Sequence, residues 1–300
     1  MSISYSSPSS IFFGDFYSFH FGEPVFAVAL DFRVSVEIFE NKTEYKQNPE
    51  IVDLNQILLA YLENNNIPFT PKNFKLEINS QIPGGREFGY ENSLRVAVLG
   101  ALYEFYTGMK INKDILAGIL RNLGNANLTA FASLFGGIVY ARSEFDFLET
   151  VCPVDFGIPT EISDNLYLIF SKQKESESDN FINKINENIA ENPAMYKKLF
   201  RDIGKTSKVM FVSLKENREK LFVDTVVKSQ KLLTKLGVVA VETQKFLKTL
   251  EHFGVGKIVG NGDYVMFFNQ NNRSSFEKYL QDHNLVYLKL NLDEKGLLCE

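Results

Sequence analysis

The 300-residue sequence contains no tryptophan, only two cysteines and only three histidines. Cys152 and Cys299 lie far apart in the chain, and two cysteines at this spacing indicate neither a disulfide framework nor a zinc site. We therefore expect the protein to lie in the reducing cytoplasm. No apolar run approaches the roughly 18 residues that a membrane-spanning helix needs. The N-terminus also lacks the basic segment that precedes the apolar core of a signal peptide, so no such leader is expected.

The net charge and the distribution of basic residues limit the kinds of molecule that the protein is expected to bind. The net charge is −5, and no cluster of basic residues stands out along the sequence, so we expect no nucleic-acid partner. Since no apolar run is long enough to span a bilayer, we expect no membrane partner either. A hydrophobic content of 45% and a charged content of 23% are ordinary for a globular protein. The length favours two domains over one or three. The expected partners are a nucleotide or other small molecule, a second copy of the chain, or an active paralogue.

The most informative stretch is Phe74–Tyr106. It begins with a strand pattern in which apolar and polar residues alternate, and it ends with a helix pattern that is apolar at nearly every position from Leu94 onward. Between them lies a turn that contains four glycine and proline residues. A glycine-rich turn that leads into a helix N-terminus is a general site for anions, although such a turn also occurs as a purely structural loop.

The rest of the first half alternates strand and helix patterns. Strands are predicted over Ser2–Phe39, with one long strand over Phe26–Phe39. Amphipathic helices are predicted over residues 48–66 and 112–123, and Asn112 is expected to cap the second of them.

The second half has a different order of elements. An irregular stretch over residues 147–160 is the predicted domain junction. After it, a strand, a group of helices, two strands, a helix and a last strand predict a ferredoxin-like α+β sandwich. The predicted helices of that group cover residues 179–190, 193–203 and 208–235, the later helix covers 274–282, and the strands at the two ends cover 165–170 and 285–290.

The central turn resembles a known phosphate loop. Residues 82–89, IPGGREFG, followed by a helix rich in Val, Ala and Leu, resemble the loop of the galacto-, homoserine, mevalonate and phosphomevalonate (GHMP) kinase superfamily. That loop reads roughly P-x-G-x-G-L-G-S-S-A-A. The matching residues are Pro83, Gly85 and Gly89.

A second resemblance lies near the N-terminus. Residues 7–15, SPSSIFFGD, then 22–24, GEP, and 27–33, AVALDFR, are similar to the mevalonate kinase pattern A-P-G-K-I-x-x-F-G-E-H, G-x-P, A-x-A-I-D-x-R. Asp15 stands in place of the glutamate of a Glu-His pair that contacts substrate in that family. His20 lies nearby and is a second candidate on the substrate side, although a lone histidine among aromatic residues also fits a structural role.

Two further motifs follow in the family's order. Residues 124–142, GNANLTAFASLFGGIVYAR, resemble the segment G-x-P-S-G-I-D-N-x-x-S-x-F-G-G. The alternative interpretation of these residues is a helix that breaks at Gly-Gly and leads into an edge strand. Residues 230–268 resemble N-x-x-L-x-x-L-G-V-S followed by G-A-K-L-T-G-A-G-G-G-G. The second glycine loop then comprises Lys257, Gly260, Asn261 and Gly262, and it is shorter than the family's loop.

The resemblance implies an α+β fold of two domains. Residues 1–157 would form a domain like the second domain of ribosomal protein S5, and residues 158–300 would form the ferredoxin-like domain. It also implies a nucleotide site, with ATP and Mg²⁺ as cofactors if the protein is active and none otherwise. The implied nucleotide-binding residues are Pro83, Gly84, Gly85, Arg86, Gly89, Tyr90, Glu91 and Asn92.

The family's lysine and aspartate, and the loop serines that bind phosphate and metal in it, are replaced here. Ser10 stands in place of its lysine, Thr129 in place of its catalytic aspartate, and Tyr90 and Glu91 in place of the two loop serines, while Glu87 replaces a loop glycine. Because phosphoryl transfer depends on positioning and charge neutralisation, these changes predict a weak or inactive kinase homologue, a pseudokinase.

Two alternatives remain open. An active kinase for mevalonate or a related alcohol or sugar, as in isoprenoid biosynthesis, would use rearranged ligands, with Glu91 on Mg²⁺ and Lys257 on a phosphate. A non-catalytic interaction module would use sheet edges or helices to form a dimer.

Overall fold

The computed structural model describes residues 2–41, 48–82, 88–123, 128–144, 148–171, 187, 189–260 and 262–300. Strands and helices are mixed along the chain. The strands are β1 (Ser2–Phe12), β2 (Val25–Glu40), β3 (Phe74–Ser80), β4 (Ile138–Glu144), β5 (Leu148–Pro153), β6 (Leu166–Phe170), β7 (Gly254–Val259), β8 (Tyr264–Asn269), β9 (Tyr287–Lys289) and β10 (Leu298–Cys299). The helices are α1 (Pro49–Asn64), α2 (Tyr90–Thr107), α3 (Lys113–Asn122), α4 (Leu128–Phe135), α5 (Thr160–Ser163), α6 (Pro193–Lys215), α7 (Glu219–Leu236), α8 (Val241–Leu250) and α9 (Arg273–Asp282), with a 3₁₀ helix over Phe16–Phe21.

Local signals in the sequence explain where several helices begin. Asn48 caps α1, since its side-chain oxygen accepts a hydrogen bond from Glu50 N at 3.1 Å. Asn112 caps α3 in the same way and accepts from Asp114 N at 2.7 Å, as predicted. The caps satisfy backbone donors that the helix itself leaves without partners.

The larger sheet has the strand order β10-β1-β2-β4-β5, and β3 also pairs with β2. β2 and β3 are antiparallel, with Val36 opposite Ile78. At the other side of β1, Tyr5 lies opposite Cys299, so the last residues of the chain extend this sheet.

The smaller sheet has the order β7-β8-β6-β9, and all its pairings are antiparallel. With helices between β6 and β7 and between β8 and β9, this is the predicted ferredoxin-like arrangement. In its core, alternate strand residues such as Tyr167 and Phe267 pack against helix residues such as Phe200 and Leu233. The prediction of a mixed α+β fold is confirmed.

The chain divides into two compact units, each built from separate segments. Unit 1 comprises Met1–Ile11, Ala27–Val139 and Leu292–Glu300, and unit 2 comprises Phe12–Phe26 and Tyr140–Asn291. The predicted domains, residues 1–157 and 158–300, are two continuous segments, and this domain boundary stays a prediction.

The helices of unit 2 differ from the prediction in one important respect. The break expected between residues 203 and 208 is absent, because α6 continues through it to Lys215. Gly204 lies inside this helix, where an added Cβ would overlap the side chain of Glu23. The break occurs instead at Asn217, whose φ is +50°, and α7 then begins. The two helices therefore form a hairpin with a three-residue connection.

No helix in the described part of the chain is long and apolar enough to cross a membrane.

Candidate functional site

A buried polar cluster in unit 1 contains the two positions that the family resemblance assigns to catalysis. Ser10, near the end of β1, donates its hydroxyl to the backbone oxygen of Thr129 at 2.8 Å. Its oxygen lies 2.8 Å from Ser133 Oγ, which is one helical turn further along α4. Ser10, Thr129 and Ser133 are 2%, 4% and 0% exposed. The structure thus brings together residues that are 119 and 123 positions apart in the chain.

The start of α2 completes this cluster. Asn92 donates from Nδ2 to Thr129 Oγ1 at 2.7 Å, and Ser93 donates its hydroxyl to the backbone oxygen of Pro8. Both side chains are buried. Gly89 precedes the helix with φ +69°, and an added Cβ there would overlap the backbone oxygen of Ser10. The helix N-terminus is therefore held directly against the end of β1.

Glu91 takes no part in the cluster. Its carboxylate faces Arg95 one turn further along α2, with 3.5 Å between Oε2 and Nη2, and its side chain is 72% exposed. Arg95 is shared with Glu50, whose Oε1 lies 3.0 Å from Nε. Tyr90 is also partly exposed. Glu91, which replaces one of the two loop serines, is therefore engaged at the surface of α2.

Several predicted site residues lie outside the described residues. These are Pro83, Gly84, Gly85, Arg86 and Asn261. His20 belongs to the 3₁₀ helix, but its side chain is likewise outside the described part.

A second polar group lies in unit 2 and contains two other predicted site residues. Lys257 Nζ forms an ion pair with Asp15 Oδ1, and the two side chains are 1% and 2% exposed. Asp15 Oδ2 accepts a hydrogen bond from Ser229 Oγ at 2.6 Å and lies 3.4 Å from Thr206 Oγ1. The backbone N–H of Asp15 donates to Ser207 Oγ at 2.9 Å. The charge of Lys257 is therefore neutralised inside unit 2.

An aromatic side chain, that of Tyr17, lies close to Asp15 of this ion pair. Tyr17 Oη lies 3.4 Å from the backbone oxygen of Gly260, in the second glycine loop. Burial, reinforced by the carboxylates of Asp15 and Asp263, raises the pKa of Tyr17 well above its ordinary value. Tyr17 therefore keeps its proton to a higher pH than an ordinary tyrosine does.

Three residues of this group were not predicted from the sequence: Ser229, Thr206 and Ser207. A signal for one of them was present, because Ser229 shares the buried face of α7 with Phe222, Val226 and Leu233. A buried hydroxyl on such a face needs a hydrogen-bond partner. The partner itself, 214 residues away, could not be inferred from the helix pattern.

The side chains of the cluster offer no charge to ATP or Mg²⁺. Ser10, Thr129, Ser133 and Asn92 are uncharged, and they bond to one another within the cluster. Among the described residues, no group of three or more His, Cys, Asp or Glu side chains could hold a metal ion. Neutral hydroxyls can bind phosphate or complete the shell of a metal ion, but these four residues supply neither a carboxylate for Mg²⁺ nor a cation for the phosphates.

Comparisons with solved structures identify the fold of the chain. Neither a protein-family model nor a curated protein matches the sequence. Solved structures do match. Mevalonate kinase from Methanococcus jannaschii is 16% identical, with 98% of each chain covered and a TM-score of 0.72. The chain has the fold of the GHMP kinases.

Two further structures support this statement. The phosphomevalonate kinase of Streptococcus pneumoniae is 13% identical, with 98% of this chain and 100% of that chain covered and a TM-score of 0.73. The Lin0012 protein from Listeria innocua is 13% identical, with 100% and 99% covered and a TM-score of 0.79. The GHMP kinase fold predicted from four altered motifs is thus confirmed over nearly the whole chain, whereas identities this low say nothing about activity.

Proposed function

We propose that this protein is a GHMP-fold homologue of mevalonate kinase in which phosphoryl transfer is lost or strongly weakened. The observation that supports the proposal is the hydrogen bond between Ser10 and the backbone of Thr129. The two positions that carry a lysine and an aspartate in the resembling family meet here as two uncharged side chains that are buried and already bonded.

The chemistry explains why this arrangement is unsuited to catalysis. Phosphoryl transfer proceeds through positioning and through neutralisation of charge on the transferred group. Neither a serine nor a threonine hydroxyl carries charge at pH 7. Removal of one preorganised donor costs about 3–4 kcal/mol at a transition state. Several such losses at one site would remove most of the catalysis, even though they do not add simply.

The candidate substitutes for the lost groups are engaged elsewhere. Glu91, which would bind the metal ion if the protein were an active kinase, faces Arg95. Lys257, proposed as a phosphate-binding cation, is paired with Asp15 in the interior of unit 2. A kinase that used either group would have to break its present contact, and for Lys257 that would leave the Asp15 carboxylate buried without its cation.

The test is titration calorimetry with ATP and Mg²⁺, together with a phosphoryl-transfer assay in which mevalonate is the first acceptor. An active mevalonate kinase assayed under the same conditions is the positive control. We expect no turnover above the background without protein. Submillimolar binding of ATP together with turnover would overturn the proposal and favour an active kinase with rearranged ligands. In that event, loss of turnover in Glu91→Ala would identify Glu91 as a ligand.

A further inference from the structure

The hairpin of α6 and α7, residues 193–236, carries an unusual share of the positive charge. Of the 32 Lys and Arg residues in the chain, eleven lie in this hairpin, against four of the 37 Asp and Glu residues. The hairpin therefore has a net charge of +7 in a protein of net charge −5, and the remaining residues together carry −12. All eleven cations are exposed.

The cations form two continuous stripes. In α6, six of them project within an arc of about 100° when placed at 100° per residue, and the first and last are roughly 27 Å apart along the axis. In α7, four project within an arc of about 80° over roughly 22 Å. The stripe residues are Lys197, Lys198, Arg201, Lys205, Lys208 and Lys215 in α6, and Lys220, Lys228, Lys231 and Lys235 in α7.

Few of these charges are neutralised within the protein. Lys205 pairs with Asp202 at 3.5 Å, and Arg218, in the connection between the helices, pairs with Glu216 at 3.3 Å. Within the described ranges, the other nine cations have no carboxylate within salt-bridge distance. Like charges spaced three and four residues apart on a helix repel each other. A stripe of this kind is therefore destabilising to the isolated protein and favours contact with an anionic surface.

The side chains beside the stripes indicate which anionic surface. Met195 and Val209 are 42% and 38% exposed and flank the α6 cations on one side. The aromatic residues of the hairpin offer no stacking platform to a nucleic-acid base. Tyr196, Phe200 and Phe222 are buried, and the half-buried Phe211 packs against the rings of Phe26, Tyr140 and Phe156. Nine of the eleven cations are lysines, which act as point charges on long flexible stems, rather than arginines, which read base edges with a planar fork.

We propose that the α6–α7 hairpin is a docking surface for an anionic phospholipid bilayer. The lysine stripes lie against the headgroups, and Met195 and Val209 reach toward the boundary of the acyl chains. The binding is peripheral and reversible, and it does not depend on whether the protein transfers phosphate. The proposal departs from the expectation of no membrane partner, which rested on the absence of an apolar run long enough to span a bilayer.

The test is co-sedimentation of the full chain with vesicles of phosphatidylcholine containing about 30% phosphatidylserine, compared with vesicles of phosphatidylcholine alone. We expect binding to the anionic vesicles only, and loss of that binding when the salt concentration is raised from about 0.1 M to about 1 M. The triple variant Lys197→Glu, Arg201→Glu, Lys208→Glu should bind at least about a hundredfold more weakly. Glutamate forms helices nearly as well as lysine, so α6 should persist, and circular dichroism checks this.

The matched control is Lys110→Glu, Lys248→Glu, Lys278→Glu, which changes the net charge by the same amount at exposed lysines outside the hairpin. Its binding to anionic vesicles should stay within about threefold of the wild type, because the three lysines belong to neither stripe. Equal losses in both triple variants, equal binding to neutral vesicles, or no vesicle binding at all would overturn the proposal. Salt-dependent binding to duplex DNA without vesicle binding, or self-association that the hairpin variant abolishes, would assign the surface to another partner and also overturn it.

Discussion

Lys257 and Asp15 form an ion pair in the interior of unit 2, although they are 242 residues apart in the chain. Both belong to motifs that resemble substrate- and phosphate-binding segments of mevalonate kinases. Here each neutralises the other, and the second carboxylate oxygen of Asp15 is bonded by Ser229. Two residues expected to face a ligand thus form part of the folded interior.

The ion pair should be costly to break from one side. Lys257→Met leaves the Asp15 carboxylate buried without its cation, so the free energy of unfolding should fall by about 3–5 kcal/mol. Adding Asp15→Asn in the same chain removes the uncompensated charge and should recover part of the loss. Urea unfolding followed by circular dichroism measures both variants. Lys205→Met, at an exposed ion pair, should change stability by no more than about 1 kcal/mol. An equally small effect of Lys257→Met would contradict the burial of the pair.

Adjacent serines in β1 should respond differently to truncation. Ser10→Ala removes the hydroxyl that bonds Thr129 O and Ser133 Oγ, and we expect a loss of about 1–3 kcal/mol because those buried groups lose a partner. Ser9→Ala is the matched control. Among the described residues, the Ser9 hydroxyl is buried with no hydrogen-bond partner, so its removal should be neutral or stabilising. Thermal unfolding of the two variants gives the comparison, and a larger loss for Ser9→Ala would refute the assignment.

The two ends of α2 offer a second matched pair. Gly89 and Gly108 have φ values of +69° and +70°, so alanine at either position incurs about 1–2 kcal/mol for the left-handed backbone. Only at Gly89 would the new Cβ also overlap the backbone of Ser10, whereas nothing lies within 4 Å at Gly108. Gly89→Ala should therefore be clearly less stable than Gly108→Ala. Equal melting temperatures would show that the helix N-terminus is not held against β1.

The stability should decline at alkaline pH. Burial, followed by the carboxylates of Asp15 and Asp263, raises the pKa of Tyr17 in the folded state. The folded protein therefore keeps a proton that the unfolded chain releases near pH 10, so the contribution is fully present below that pH and is lost as the pH rises above it. Tyr17→Phe should flatten the decline in unfolding free energy between about pH 9 and pH 11.

The comparison variant is Tyr90→Phe. Partial burial raises the pKa of Tyr90 as well, but its side chain is 36% exposed, so removing its hydroxyl should flatten the decline less. A decline that is identical in the wild type and in Tyr17→Phe would show that Tyr17 does not contribute.

Elements with a regular local pattern were predictable. The alternation in Phe74–Ser80 and the Asn caps of α1 and α3 act within a few residues, so the linear sequence contains the whole signal. The continuity of α6 through Gly204 was not predictable, because a glycine inside a helix pattern costs about 1 kcal/mol relative to alanine and so weakens the expectation that the helix continues. Here the glycine is needed for close approach to Glu23, which lies in the connection between the 3₁₀ helix and β2.

The order and spacing of four motifs were enough to identify the GHMP kinase fold and to mark the positions where charged groups are replaced. Only the tertiary structure showed that the Ser10 hydroxyl bonds to the backbone of Thr129, that Lys257 is neutralised by Asp15, and that the lysines of α6 and α7 belong to one helical hairpin. Propensity and periodicity act between neighbouring residues, and they therefore appear in the sequence. Hydrogen bonds and ion pairs between distant residues depend on distances that exist only once the chain has folded.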